Sequence, residues 1–352
     1  MKKHSIADYC LYCLVKTISL IVRFIPLTLS VYVMRRLGAL AFYFLAKKRM
    51  IAYRNIKIAF PNYTPRKINS ILKQTFMNCA QHLVEIAYMP WIDDKYVNKF
   101  IEFEGLDDAL KLMKNKKGGI FLCLHEGSWE IGSAVTARAL KDYNYTVLVR
   151  EQPGAPLVSD LLNSYRVKNV HNVMPITDSL RPIVESLKKG YAIGMAADHG
   201  AQGGILVNFF GRLALTPIGA LKFALKLDTN IFIGFMKGKR KARHIITLKP
   251  YSLVRTGDEE NDLRLNLENI NRVYERYITD SPQEYLWFFK RWKHSPQRNA
   301  LVLSDGKAGH LKQSLAVLDL INKLPLQVKY DVVEVKFSNL LQKAMFYLCG
   351  FF

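Results

Sequence analysis

Two rhythms of apolar positions alternate along the middle of the chain. Thr64-Pro65 reads as an N-cap followed by proline at the first helical position. Ile68, Ile71, Leu72, Phe76, Cys79, Leu83 and Ile86 then recur at helical spacing until Met89-Pro90. Beyond that point short apolar runs take turns with helical patterns. Gly118–Leu124, Tyr145–Val149, Tyr191–Ala197, Asn230–Phe235 and His244–Leu248 read as strands. Leu106–Met113, Trp129–Leu140, Pro156–Lys168, Leu180–Lys189, Pro217–Leu227 and Asp262–Ile278 read as helices. The alternation predicts an α/β fold, a central mixed sheet flanked by helices, over residues 61–296. A boundary falls near Ser295–Asn299. After it, ALVLSD reads as a strand, GKAGH as a glycine loop, Leu311–Lys323 as a helix and Val328–Val335 as a strand. So short a stretch cannot cover both faces of a sheet. Residues 299–352 are therefore expected to be an incomplete second α/β domain.

The first 60 residues follow neither rhythm. They are apolar but broken by Lys16, Arg23, Arg35, Arg36, Lys47, Lys48 and Arg49, and no uncharged run reaches the ~18–20 residues of a clear span. No small-residue cleavage site follows a clean apolar core, which argues against a signal peptide. A short or tilted span around Leu11–Met34 fits. So do one or two amphipathic helices lying in a membrane interface with their cations reaching the headgroups. A helix packed on the main domain is the plain alternative. Membrane contact is favoured, because the basic residues that follow would meet anionic lipid and stay cytoplasmic.

Composition narrows the class. The 352 residues carry 51 Lys+Arg against 29 Asp+Glu, a net charge of +22, and half are hydrophobic. That hydrophobicity excludes disorder, and the charge favours anionic partners: nucleic acid, anionic lipid or phosphorylated substrates. The five cysteines, Cys10, Cys13, Cys79, Cys123 and Cys349, form no disulfide framework. A reducing, cytosol-facing location fits them.

The sharpest chemical feature is Leu124-His125-Glu126-Gly127-Ser128-Trp129-Glu130. Five residues of continuous helix turn through about 500°, so His125 and Glu130 meet only if His125 sits in the strand-to-helix turn and Glu130 in the first helical turn. A carboxylate on one imidazole nitrogen would leave the other free as a general base, suited to activating a hydroxyl against an acyl carbonyl. Asp198-His199 offers too few ligands for a metal. Gly203-Gly204 reads as a turn. The aromatic-basic run Trp287–Lys293 fits either a stacking platform for single-stranded nucleic acid or core aromatics with cations facing lipid phosphates. His171, His244 and His294 fit no pattern.

Further blocks follow in order: Arg150; Asn163, Tyr165 and Arg166; Asp198-His199-Gly200 with Gln202-Gly203-Gly204; Phe209-Phe210-Gly211; Thr216-Pro217 with Gly219; Pro282-Gln283-Glu284-Tyr285-Leu286-Trp287 with Lys290-Arg291-Trp292-Lys293. Together with the His125 block they resemble the bacterial lipid A lauroyl/myristoyl acyltransferases, a lysophospholipid-acyltransferase-like family, over roughly residues 5–296. Ser128 departs from the family's usual Asn, His199 and Glu284 from its usual Gln, and Phe289-Lys290 from its His-Arg. The resemblance implies a glycerolipid-acyltransferase-like fold. It also implies transfer of a fatty acyl chain from acyl carrier protein or acyl-CoA to a hydroxyl of a lipid A precursor at the cytoplasmic face of the inner membrane. Carried over, His125 is the base with Glu130 as its partner. Arg150, Arg166, Asp198, Lys290 and Arg291 are expected to bind substrate, with no metal or redox cofactor and no nucleic acid. An acceptor that is a phospholipid or phosphatidylinositol glycoside, and a basic adaptor with a relict site, are the other readings. Residues 301–340 resemble the start of a mitochondrial-fission ELM-type, glycosyltransferase-like domain.

Overall fold

A computed structural model describes residues 5–150, 154–176, 180–199 and 203–349. It divides into two compact units, residues 1–293 and 294–352. In the first unit, helices α1 (Ile6–Phe24), α2 (Leu27–Phe44), α3 (Ala46–Ala59), α4 (Pro65–Tyr88) and α5 (Asp94–Phe100) precede strand β1 (Ile101–Glu104). Then come α6 (Leu106–Met113), β2 (Gly119–Cys123), α7 (Trp129–Ala139), β3 (Thr146–Val149), α8 (Pro156–Arg166) and β4 (Asn172–Pro175). The unit continues with α9 (Arg181–Lys188), β5 (Ala192–Ala196), β6 (Ile205–Phe209), β7 (Arg212–Thr216) and α10 (Gly219–Leu227). It closes with β8 (Asn230–Gly238), β9 (His244–Tyr251) and α11 (Glu259–Asp280).

The seven-stranded sheet runs β1-β9-β8-β2-β5-β3-β4. Strands β8, β2, β5, β3 and β4 are parallel; β9 runs against β8, and β1 runs with β9. The expected mixed α/β sheet is therefore present. Its core sorts by the two-residue period of a strand. Ile120 and Leu122 of β2, with Ile231, Ile233 and Phe235 of β8, join the core on one face beside buried residues of α9, α10 and α11. Phe121, Phe232 and Met236 join the core on the other, beside α6 and α7. After β2 the chain moves to β3 on one side; after β5 it recrosses β2 to reach β8 on the other. Strand order thus reverses around β2 and β5, the position where open α/β sheets hold ligands at their C-terminal edge.

The long helix foreseen from Thr64-Pro65 is α4, and Thr64 Oγ1 accepts a hydrogen bond from the Lys67 N–H at 3.3 Å. The N-terminal segment is not one helix. Pro26 has no N–H to continue α1, and the chain restarts as α2. Among the described residues no single helix is long and apolar enough to cross a membrane, although α2 and α3, bent by 90°, pass that test together. Ser19 of α1 donates to Ala87 O, and α2 crosses α4 closely. Much of α1 and α2 stays bare, with Ile6, Leu14, Phe24, Leu40, Tyr43 and Phe44 exposed. Strands β1 and β4 and the β6–β7 hairpin lie outside the elements read from the pattern. The hairpin turn is the Phe210-Gly211 pair of the Phe-Phe-Gly block, both residues at positive φ, as a two-residue turn demands.

The second unit, described by itself, holds the parallel pair β10 (Gln297–Ser304) and β11 (Gln327–Glu334), linked by α12 (Ala308–Asn322) and followed by α13 (Leu340–Cys349). Leu301, Leu303, Leu320 and Val333 remain exposed, as a two-stranded sheet with one crossover helix leaves them.

Gly38 sets how closely α2 approaches α4. A Cβ there would fall 2.5 Å from Phe76 O and 2.8 Å from Ala80 Cβ. Gly38→Leu should force the helices apart and cost about 1–3 kcal/mol, seen as a lower Tm of the purified protein. An unchanged Tm would show that the crossing tolerates a side chain.

Candidate active site

Parallel pairing of β2 with β5 builds the site. Cys123 lies opposite Ala196, so the chain leaves both strands at the same edge, as Leu124-His125 on one and Ala197-Asp198 on the other. There His125 Nδ1 lies 2.7 Å from Asp198 Oδ1, and the His125 backbone N–H donates to Asp198 Oδ2 at 3.3 Å. Asp198 is almost fully buried. Burial alone would raise its pKa, but the His125 imidazole, with His199 and Arg291 beyond, holds it well below the ordinary carboxylate range. It is an anion at neutral pH, so His125 Nδ1 carries the hydrogen and donates. His125 Nε2 makes no hydrogen bond among the described residues. Burial pushes the His125 pKa down; the Asp198 charge and hydrogen bond outweigh that and raise it above the usual histidine value.

The structure changes the partner expected for this histidine. Glu130, in the first turn of α7, is not hydrogen-bonded to His125. It meets Arg166 of α8 in a two-pronged pair, with Arg166 Nε donating to Oε2 at 2.9 Å and Nη2 to Oε1. Arg166 Nη1 also donates to Asn163 Oδ1 at 2.8 Å. Both side chains are largely buried, and a buried carboxylate takes the strongest donor within reach, here a guanidinium fork. The pair holds Glu130 below its ordinary pKa against the opposing effect of burial. Arg166 is thus committed to Glu130 rather than turned to solvent.

One other expected substrate contact also moves. Arg291 is buried: Nη1 donates to Leu215 O at 2.6 Å, Nη2 to Thr216 Oγ1 at 3.0 Å, and the guanidinium lies 4.8 Å over Phe209. It clasps the β6–β7 hairpin. Lys290 and Arg150 are exposed, Arg150 at the end of β3 and close enough to help depress the pKa of His199. Trp287 and Trp292 are buried, with Trp287 Nε1 donating to Pro282 O at 2.7 Å, so neither ring offers a face for stacking bases. Gly200 and Gln202 lie outside the described residues.

Pattern reading missed the groups behind the turn. Leu286 N–H donates to His125 O at 2.9 Å, Gly127 N–H to Glu284 O at 2.9 Å, and Glu126 bridges Tyr285 in antiparallel fashion. The Glu284-Tyr285-Leu286 block thus clamps the His125 turn. Gly127 sits at φ 51°, and a Cβ there would lie 2.5 Å from Met236 O. Beneath, Glu85 of α4 is wholly buried; it accepts from Ser128 Oγ and from Gln81 Nε2 at 2.9 Å, and pairs with His244 Nε2 at 2.7 Å. Burial would raise the Glu85 pKa, but the His244 charge and these hydrogen bonds lower it. Glu126 has no cation, so burial pushes it up to about 8, and Glu284 to about 7. The signal for this layer was in the sequence. Asn78, Gln81, His82 and Glu85 form a polar stripe at helical spacing on α4, which is otherwise apolar there.

On the far side of Gly127-Ser128 a cavity of about 470 Å³ opens. Arg35 of α2 and Lys239, Arg240 and Lys241 of the β8–β9 turn face it, with Ser128, His244 and Glu284.

The profile of a family described as bacterial lipid A biosynthesis acyltransferase matches residues 1–294. The chain is 24% identical over 283 residues to a lipid A biosynthesis palmitoleoyltransferase of Escherichia coli, covering 77% of this chain and 87% of that protein. It is 23% identical to that organism's lipid A biosynthesis lauroyltransferase, over 74% and 84%. A lipid A biosynthesis acyltransferase of Haemophilus influenzae is 23% identical over 77% and 84%. The match ends where the second unit begins, and the resemblance drawn for residues 301–340 finds no support in these comparisons.

Asp198→Asn removes the charge that raises the His125 pKa. Burial is then opposed only by the smaller effect of the Glu130 charge, so the acid limb of kcat/KM should move to lower pH. The rate at its optimum should fall by about 10²-fold or more, the scale of a misheld general base. An unmoved limb would detach Asp198 from the titrating group.

Proposed function

The chain belongs to the bacterial lipid A biosynthesis acyltransferase family and is an acyltransferase, and from that premise we propose the reaction and the residues that carry it. A fatty acyl chain passes from an acyl thioester, on acyl carrier protein or CoA, to a hydroxyl of a lipid A precursor or related anionic glycolipid. The observation that carries this reading is the 2.7 Å contact of Asp198 with His125 Nδ1, which leaves Nε2 free at the C-terminal edge of the sheet.

His125 Nε2 takes the proton of the acceptor hydroxyl as its oxygen attacks the thioester carbonyl. The C–S bond then breaks, and the thiolate recovers the proton from His125. Asp198 holds the imidazole in the tautomer that makes Nε2 basic and stabilises the imidazolium between the two steps. Glu130 is a positioning residue. Its ion pair with Arg166 ties α7 to α8 beside the base, and its charge adds to the field that raises the His125 pKa. Arg150, exposed at the strand edge, and Lys290 are the cations available to substrate phosphate or to charge on the carbonyl oxygen. A thioester is already activated, so positioning, one base and oxyanion stabilisation suffice and no redox cofactor enters.

The acceptor class rests on the cavity beyond Ser128. Four cations face it against the half-neutralised Glu284, a setting for a phosphorylated polar headgroup. The membrane reading rests on α1 and α2. They carry many bare large apolar side chains, among them Ile6, Leu14, Ile21, Phe24, Leu40, Tyr43 and Phe44, the composition of a surface that meets an apolar partner. Helices lying in the interface at the cytoplasmic face of the inner membrane would cover it, with Arg35, Arg36, Lys47 and Lys48 near anionic headgroups.

In membranes of a strain lacking this protein, His125→Ala should reduce acyl transfer to a lipid A precursor by about 10²–10⁴-fold relative to the restored wild type, scored by mass spectrometry of the lipids. Equal product from both would end the assignment. Glu130→Gln leaves Arg166 buried with half its partner, so it should lower stability by about 3–5 kcal/mol, read from chemical denaturation, as well as activity.

A further inference from the structure

Two imidazoles and a carboxylate converge at His125, Asp198 and His199, and one donor atom from each lies within 4.8 Å of the other two. The rings of His125 and His199 stack with centroids 3.8 Å apart and planes 13° from parallel. The two oxygens of Asp198 divide between them, Oδ1 at 2.7 Å from His125 Nδ1 and Oδ2 at 3.6 Å from His199 Nε2. Phe289 packs against the His199 ring, centroids 3.3 Å apart. His199 Nε2 is buried and makes no hydrogen bond, a costly state for a polar atom. The adjacent Asp198-His199 looked too poor in ligands for a metal; β2 brings His125 in as the third.

We propose that His125, Asp198 and His199 bind one divalent transition-metal ion of the zinc class, and that the ion reversibly blocks the base. Two imidazoles and one carboxylate, with water completing the shell, suit zinc and its neighbours rather than magnesium or calcium, which prefer oxygen donors. Bonds of about 2.0–2.1 Å would set the donors roughly 3.3 Å apart. His199 Nε2 and the Asp198 carboxylate already stand near that separation; the His125 and His199 planes are nearly parallel, so one ring must turn about its Cβ–Cγ bond before both in-plane lone pairs meet a single ion. Arg291 lies close enough to oppose a cation, but its guanidinium is bonded to Leu215 and Thr216, and the opposition lowers affinity without filling the site.

Inhibition follows from proton placement and rests on the catalytic reading above. In the free enzyme Nδ1 carries the hydrogen and Nε2 the lone pair. An ion on Nδ1 displaces that hydrogen to Nε2. The ring stays neutral, and Nε2 then has no lone pair for a hydroxyl proton. His199 itself has no part in the transfer step. Its imidazole is what makes the site, so removing the ring separates metal binding from activity.

The test uses the full chain in detergent, with zinc followed by equilibrium dialysis and cobalt by its visible absorption. Wild type should bind one ion per chain. His199→Gln should weaken binding by more than about tenfold, the loss that even a neighbour of a ligand produces, and should keep its acyl-transfer rate. Zinc should inhibit the wild type, a chelator should restore it, and His199→Gln should be insensitive. His199→Asn and melting curves of both variants separate loss of the ring from loss of the fold. No saturable binding, or equal binding by wild type and both folded variants, overturns the site. His199-dependent binding with an undiminished rate overturns the inhibition. If the wild type transfers no acyl group, the catalytic reading fails, and dialysis still decides the site.

Discussion

The hydrogen bond between Asp198 and His125 depends on strand register. It joins residues 73 positions apart, and neither side chain reaches far for it. Ala196 stands opposite Cys123 in parallel strands, so the next two residues of each chain emerge side by side. A one-residue slip between β2 and β5 would turn one side chain to the other face of the sheet and break the pair. Packing of alternate β2 residues into two separate core layers opposes such a slip. The strength of the core and the aim of the base are one property of this fold.

Around that contact the molecule handles charge inside a protein interior in several ways. Asp198 has a histidine, Glu130 an arginine, and Glu85 a histidine, an amide and a hydroxyl. A buried carboxylate without such a partner holds its proton more tightly, as Glu126 does and Glu284 does to a lesser degree. The turn carrying His125 is thus walled by groups of fixed and differing charge. His125 joins a raised pKa to a ring nitrogen left open at the edge of the sheet.

Much of this was legible in the chain. The helical stripe from Ile68 and the apolar runs of β2 and β5 gave their elements, because burial imposes a period that composition cannot hide. The strand-to-helix placement of His125 followed from Gly127. Glu130 as its partner did not hold, because proximity in sequence outweighed a neighbour that only sheet pairing supplies. Arg166, Arg291 and Asp198 looked alike on the page as polar residues near a site. What they bond to is set by α8, the β6–β7 hairpin and β5, and no local pattern encodes those contacts. Glu85 could have been found, since a polar stripe on a buried helix needs partners.

Asn55 of α3 gives the N-terminal helices a different standing from that of a detachable anchor. Its side-chain amide donates to Trp287 O at 2.7 Å and to Phe289 O at 2.6 Å, in the same segment whose neighbours grip the His125 turn. In mechanical terms α3, the aromatic segment and the catalytic turn form a linkage with no slack joint. Any load borne by α3 is carried through two short bonds to the backbone beside the base. A helix whose Lys47 and Lys48 face the surroundings is thereby geared directly to the turn that must not move.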